Sequence, residues 1–154
     1  MRKTILYRLF RIGGIPKKLR PVLEAEKIIL FDEGIGGWFI TRNLKAPGKR
    51  FKYRREGFSG FLAITKKRII AYTFWKRQIN ISVEDPKISE LFVQIVTPQS
   101  ISISFESSVF NRGWQGAIEL RFNTSRAPKF YEVLRHIGVS QGAAPGASKR
   151  PRVA

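Results

Sequence analysis

Cysteine is absent from the 154-residue chain, and histidine occurs once, as His136. The missing thiols exclude disulfide bonds, thiolate zinc sites and cysteine nucleophiles, and they fit a reducing compartment without requiring one. His136 falls near the end of a predicted helix, where a solvated side chain is far more common than a catalytic base. Neither an HExxH motif nor a P-loop motif occurs. We therefore expect a protein that is not an enzyme and that holds no metal and no cofactor.

Long apolar runs are also absent. No stretch approaches the roughly 20 apolar residues that a membrane-spanning helix needs. Arg8 and Arg11 interrupt the apolar run near the start of the sequence, which argues against a secretory signal there. We expect a cytoplasmic location, with peripheral attachment to a membrane as one option.

Acidic residues are scarce. The chain has 29 Lys and Arg against 11 Asp and Glu, a net charge of +18, and residues 1–77 hold 20 of those cations and 5 of those acids. A field this uneven favours an anionic partner, such as phospholipid headgroups, nucleic acid or an acidic protein. The alternative is that the charge serves solubility alone.

Residues 1–20 form a basic amphipathic segment with seven cations and no acid. Ile5, Leu6, Leu9 and Ile12 share one predicted helical face, and Gly13-Gly14 then ends the helix. Three interpretations are open: an anchor on a membrane surface, an organelle-targeting segment, or a helix that packs on the domain. The candidate contact residues for a membrane or partner are Arg2, Lys3, Arg8, Arg11, Lys17 and Lys18.

The densest positive patch follows the first predicted strand, around the turn signal Pro47-Gly48. Phe51 and Tyr53 alternate with its cations. Such a patch is either an anion-binding surface or an edge strand whose cations block unwanted pairing. Its candidate anion-binding residues are Lys45, Lys49, Arg50, Lys52, Arg54 and Arg55, with Lys66, Lys67 and Arg68 as a candidate extension.

The stretch Gly57–Trp75 is the centre of the predicted fold. β-branched and aromatic residues fill two short apolar runs on either side of Thr65-Lys66-Lys67-Arg68, which predicts a hairpin. Alternating segments after it predict strands at residues 78–83, 100–106 and 117–122, and a further strand is predicted at residues 91–96, before Thr97-Pro98. We therefore predict about seven strands in an all-β sandwich or barrel.

A single helix closes the predicted domain. Phe130, Val133, Leu134 and Ile137 recur at helical spacing, and Gly138 follows the helix end. The remaining residues, 140–154, are small, contain Pro and Gly and have few aliphatic side chains, so we predict a disordered basic tail. The expected organisation is a basic segment over residues 1–20, a β domain over 21–139 and the tail.

The segment Phe61–Tyr72 resembles the "L-x-[IVL]-T-x-x-R-[IL]" hairpin of PH-like domains in the bacterial PH and GRAM branch. The closing helix at 126–137 is where that family has its capping helix. The resemblance implies a strongly bent sheet of seven strands and a non-enzymatic module that binds phospholipids or proteins. Lys45, Lys52 and Arg54 are similar to the family's lipid-binding basic pattern, although with a shorter gap, so phosphoinositide specificity is not implied.

Two functions follow as expectations. The first is a binding or scaffold module whose basic face attaches to an anionic phospholipid surface or to an acidic protein, within a larger complex or a homo-oligomer. The alternative is a nucleic-acid-binding protein, in which the interleaved aromatics stack on bases. Neither an RNP-type motif nor a zinc-finger spacing is present to support the alternative.

Overall fold

The computed structural model describes residues 3–147, which form eight strands and three α-helices. The strands are β1 (Ile28–Ala46), β2 (Lys49–Thr65), β3 (Arg68–Thr73), β4 (Lys76–Ser82), β5 (Phe92–Thr97), β6 (Ser100–Glu106), β7 (Gln115–Asn123) and β8 (Ser140–Gln141). The helices are α1 (Ile5–Phe10), α2 (Arg20–Ala25) and α3 (Ala127–Ile137). Short 3-10 helices occupy Pro86–Glu90 and Ser107–Val109.

The strands form one sheet that curls into a half-barrel, in the order β4-β3-β2-β1-β7-β6-β5-β8. All neighbouring strands pair antiparallel except β5 and β8, which pair in parallel. The long β1 joins the two halves because it pairs with β2 on one side and with β7 on the other. β1 and β2 therefore lie in the middle of the strand order, and their paired ends extend together as a hairpin at one end of the sheet.

The main hydrophobic core fills the inside of the curl. Alternate residues of each strand point inward, such as Leu62 and Ile64 of β2 and Ile103 of β6, and all three are buried. Helix α3 closes this core with Phe130 and Leu134, which lie one turn apart on the same helix face. The prediction of a mainly β domain with one closing C-terminal helix is confirmed.

The outside of the curl is covered at two places by the ends of the described chain. Ile15 and Leu23 pack against Phe61, Ala63 and Ile70 on the outer side of β2 and β3. This is why β2 is apolar on both faces in its second half, where every residue from Phe58 to Thr65 is buried. The N-terminal segment is thus attached to the sheet.

The tail differs from the prediction as far as residue 147. Ser140–Gln141 forms β8, and Ala144 and Ala147 are buried against Ala117. The Ala144 amide also donates to the Ser104 hydroxyl, 2.9 Å away. Small side chains allow this close approach, and a two-residue strand has no periodicity from which it could be predicted. Residues 148–154 lie outside the described residues.

Each of the four strands predicted after the central hairpin is confirmed within one or two residues, and so is the hairpin at Gly57–Trp75. The count differs, because β8 makes eight strands where about seven are predicted. Lys45 to Arg55, which the sequence leaves open between a loop and a strand, forms the ends of β1 and β2.

Candidate functional site

The first half of β2 is an open sheet edge. β2 pairs with β3 only from Gly60 to Ile64, whereas its pairing with β1 runs back to Lys49. Residues 49–58 therefore have a hydrogen-bonded strand on one side only within the described chain. Five of the six candidate anion-binding residues lie on this edge. Cations at such a position prevent unwanted strand pairing, and they also form an accessible positive surface, so the strand is compatible with both interpretations of the patch.

The hairpin cations divide between two faces. Phe51 and Arg54 line a cleft inside the curl, together with Lys49. Lys45 and Arg50 are paired across the hairpin and directly neighbour cleft-lining residues, so alternation places them on the outer face. Arg55 is also outer, because it lies over the ring of Trp38 with its guanidinium carbon 4.2 Å from the ring centre. Lys52 is not assigned to either face. It lies between Phe51 and Arg54, which both line the cleft although they are three positions apart, so the inward and outward alternation of side chains along β2 is interrupted there.

The aromatic residues of the hairpin are engaged by arginines. Arg54 lies over Phe51 at 4.6 Å, and Arg42 lies over Tyr53 at 5.7 Å. These cation–π contacts hold the guanidinium groups at the surface and cover one face of each ring. The rings are consequently less available for stacking on bases than the sequence alone suggests.

Helix α1 presents its apolar side chains to solvent. Ile5, Leu9 and Phe10 are 65%, 69% and 67% exposed, and no residue of the helix is buried. The helix ends at Phe10, so Ile12, which the sequence places on the apolar face, falls beyond it and is half-buried. The interpretation of this segment as a helix that packs its apolar face on the domain is therefore wrong for α1.

Polar and aromatic contacts hold α1 in place instead. Thr4 caps the helix by accepting from the Tyr7 amide, and its hydroxyl is 2.6 Å from that of Ser59. The Tyr7 ring lies against Gly34, where a Cβ would come within 2.2 Å of the ring. Gly34 also has a φ of +67°, so glycine is required there on both counts. Among the described residues, the contacts that hold α1 on the sheet are made by Thr4 and Tyr7 and not by the exposed apolar side chains.

The N-terminal cations are divided between structure and solvent. Lys3 donates to Asp32 at 2.6 Å and to the Glu33 carbonyl, so it anchors the segment. Arg8 and Arg11 are exposed beside the apolar side chains, and Arg11 lies 5.3 Å from the Tyr7 ring centre. Lys17 and Lys18 are also exposed. Arg2 lies outside the described residues.

Helix α1 and the outer hairpin residues share one face of the sheet. Thr4 contacts Ser59 and approaches Gly36, which is the partner of Ser59 in the β1–β2 ladder. Trp38 lies two residues further along β1 and therefore on the same face. We call this face the outer surface. It comprises Ile5, Arg8, Leu9, Phe10, Arg11, Trp38, Lys45, Arg50, Tyr53 and Arg55.

The candidate extension at Lys66, Lys67 and Arg68 does not join this surface. It lies at the other end of β2, a 17-residue strand, so about 50 Å of strand separates the two turns. Arg68 is in addition bound to Glu26 and donates from Nε to Oε1 at 2.9 Å. The hydrogen bond from Arg68 outweighs partial burial and lowers the pKa of Glu26, while the same bond raises the pKa of Arg68. Lys66 and Lys67 are exposed.

A buried carboxylate lies under the outer surface. Glu119 of β7 accepts from Arg42 at 2.7 Å, from Arg121 at 2.6 Å and from the Ser102 hydroxyl at 2.8 Å. Burial by itself favours the neutral acid, but the three hydrogen bonds together outweigh it and lower the pKa of Glu119. Arg42 is thereby fixed in the position from which it contacts Tyr53.

On the inner side, a cleft of about 960 Å³ opens beside the free edge of β2. We call it the inner cleft. Its apolar lining includes Phe39, Leu44, Phe51, Phe58, Phe74, Trp75, Phe110, Trp114 and Ile118, and its charged lining is Lys49, Arg54, Glu56, Lys76 and Arg77. The only acid among these, Glu56, is paired with Arg54 at 2.5 Å. The cleft is therefore aromatic and positively charged.

Sequence reasoning misses the inner cleft and two members of the outer surface. The exposure of Phe10 and Trp38 could not be predicted from the sequence, because it depends on where α1 ends and on which face of β1 is left uncovered. Lys76 and Arg77 follow the central hairpin directly, yet nothing local indicates that they face Lys49 and Arg54 across a cleft. The one local feature that could have indicated the cleft is the aromatic pair Phe74-Trp75, because large apolar side chains are unusual in a turn.

Neither a scan against models of known protein families nor a search of curated proteins finds a match for this chain. Among the described residues, no helix is both long enough and apolar enough to cross a bilayer.

Proposed function

We propose that the protein is a peripheral membrane module that binds anionic phospholipid bilayers through the outer surface. The observation that carries this proposal is the exposure of Ile5, Leu9 and Phe10 on a helix whose own contacts to the domain are made by other residues. Solvent exposure of three large apolar side chains in six residues is unfavourable unless a partner covers them. An interfacial bilayer region covers such side chains while leaving Arg8 and Arg11 at the headgroups.

The rest of the outer surface fits the same partner. Trp38 and Tyr53 are partly exposed, and these two residue types prefer the membrane–water interface because their rings combine an apolar body with a polar group. Each Lys or Arg close to an anionic leaflet contributes about 1 kcal/mol. A short apolar helix alone binds weakly, so the combination with the hairpin cations supplies the second attachment that stable binding requires.

The proposal includes a PH-like fold for the domain. It is supported by the antiparallel order of β1 to β7, the strong curl and the closing position of α3. The cations Lys45, Lys52 and Arg54 lie on the first hairpin, as the resemblance implies. β8 and the covering N-terminal segment are additions to that plan. The same resemblance supports a binding role rather than an enzymatic one. We also propose a cytoplasmic setting, in which the bilayer that the protein meets is the anionic inner leaflet.

The test is co-sedimentation with vesicles of phosphatidylcholine alone and with vesicles that contain phosphatidylserine. We expect binding to the anionic vesicles only, and we expect Leu9→Ser with Phe10→Ser to weaken it at least tenfold. Because both side chains are exposed, the double variant should unfold at the same urea concentration as the wild type.

The matched control replaces two exposed apolar residues elsewhere, Ile95→Ser with Val96→Ser on β5, which we expect to leave vesicle binding unchanged. Binding that ignores lipid charge, or that survives the loss of Leu9 and Phe10, would contradict the proposal. Tighter binding to single-stranded nucleic acid than to vesicles at the same salt concentration would favour the nucleic-acid alternative instead.

A further inference from the structure

The free edge of β2 is open because β3 stops short of it. The pairing of β3 with β2 ends at Thr73 and Gly60, and the Phe74 amide, one residue further on, still donates to the Ser59 carbonyl at 2.8 Å. Phe74 then adopts a left-handed conformation with φ of +55°, and the chain turns back into β4. The line that β3 would have followed beside residues 49–58 is left without a strand in the described chain.

The inner cleft occupies the space beside that missing strand. Its walls are β2 on one side, the turn at Phe74-Trp75 with β4 on a second, and the loop that carries Phe110 and Trp114 on a third. A strand added to the β2 edge would place alternate side chains in this cleft and the others toward the outer surface. The aromatic walls suit apolar side chains of such a strand.

The positive charge around the cleft favours an added strand with acidic side chains. Lys49, Arg54, Lys76 and Arg77 line the cleft, and Arg50 and Arg55 lie on the same edge toward the outer surface. Glu56 is the one acid, and it is already paired with Arg54. A second copy of β2 would bring like charges opposite one another, which is unfavourable. An acidic strand would neutralise them.

A polar group in the lining of the cleft has no partner among the described residues. The hydroxyl oxygen of Thr41 is buried and makes no hydrogen bond to residues 3–147, and Thr41, which is 3% exposed, lines the cleft. Leaving a buried hydroxyl unpaired is unfavourable. A peptide in the cleft offers amide and carbonyl groups that such a hydroxyl can pair with, whereas the acyl chain of a lipid offers none.

From these four observations we infer that the β2 edge from Lys49 to Phe58, with the inner cleft, is a docking site for an extended acidic peptide segment of a partner protein. The segment pairs its main chain with β2, places apolar side chains in the cleft and directs carboxylates to the surrounding cations. The site lies on a different face from α1, so the domain can hold a membrane and a partner protein at the same time.

The probe is a fluorescein-labelled eight-residue peptide of Glu, Val and Phe that carries both Glu and an apolar residue on each face of an extended strand, so that carboxylates reach the cations of the cleft, and its binding is measured by fluorescence anisotropy. We expect it to bind and the same peptide with Lys in place of Glu not to bind. Two further versions carry N-methyl groups on alternate residues, one on the odd positions and one on the even positions. Because only every second amide of an added strand faces β2, one of the two should lose binding and the other should keep it.

The chain variant Lys76→Glu with Arg77→Glu should weaken peptide binding at least tenfold and leave binding to anionic vesicles nearly unchanged. Lys66→Glu with Lys67→Glu makes the same charge change at the opposite end of β2 and should not affect the peptide. Hydrogen exchange should slow on peptide binding at residues 49–58.

Three results would overturn the inference: equal behaviour of the two N-methylated peptides, exchange protection elsewhere, or protection of residues 49–58 in the protein alone through self-association. None of them depends on whether the protein binds vesicles, so failure here and failure of the membrane proposal are distinguishable.

Discussion

Glu119 is the one charged residue that is buried among residues 3–147, and two arginines depend on it. Replacing it by Gln removes the countercharge of Arg42 and Arg121 and leaves both guanidinium groups partly buried. We predict that Glu119→Gln lowers the free energy of unfolding by about 3 kcal/mol, as for other buried pairs that lose one partner. Urea denaturation measures this value.

The control for that substitution is Glu132→Gln on α3. Glu132 faces Lys129 at 3.9 Å with both side chains largely exposed, so its loss should leave the unfolding midpoint unchanged. An unfolding free energy for Glu119→Gln that matches this control would show that the buried network does not stabilise the fold.

Lowered carboxylate pKa values also set the pH range of stability. The pKa values of Glu119 and Glu26 in the folded protein lie below the ordinary value of 4.5. Both groups therefore contribute their full stabilisation above pH 5, and the contribution is lost as the pH falls toward the folded pKa, because the unfolded chain binds protons first. We predict that the unfolding free energy falls between pH 5 and pH 3, and that Glu119→Gln falls less steeply. A flat profile would contradict the ionised network.

At the scale of elements, the hairpin tip contributes charge to the outer surface. Replacing Lys45 and Arg50 by Ala removes two cations, and at about 1 kcal/mol each this weakens binding to anionic vesicles by roughly 30-fold. Lys66→Ala with Lys67→Ala is the control at the far end of β2. Vesicle titration at low salt measures both, and an equal loss in the two variants would show that only net charge matters.

Several elements could be predicted from the sequence because their signals are local. The central hairpin has β-branched runs around a short polar turn, and α3 has apolar residues at helical spacing, so both are found where expected. The division of the basic patch between two faces could not be predicted. It depends on a break in the alternation near Asn43, a non-glycine residue with φ of +51°, which the flanking residues do not indicate.

Other features were unpredictable because they depend on contacts between distant residues. Arg68 is a member of a basic run in the sequence, but Glu26, 42 positions earlier, removes it from any anion-binding surface. The open edge of β2 exists because β3 is short relative to β2, and no segment of the sequence states which strands will be neighbours. Strand order and strand length together decide what remains exposed.

At the scale of the whole molecule, we propose two separate binding faces, with a membrane at the outer surface and a partner protein at the inner cleft. The chain contains no cysteine, so single introduced cysteines can be labelled at chosen places with an environment-sensitive dye. Phe10→Cys and Tyr53→Cys lie on the outer surface, and Lys66→Cys and Glu132→Cys lie away from it, at exposed positions near the far turn of β2 and on α3.

The emission of these four labels on vesicles that contain phosphatidylserine shows whether the outer surface faces the membrane. We predict that the labels at positions 10 and 53 shift to shorter wavelengths, because they enter the membrane interface, while the labels at positions 66 and 132 keep their aqueous emission. An unshifted label at position 10, or an equal shift at all four positions, would contradict the membrane proposal.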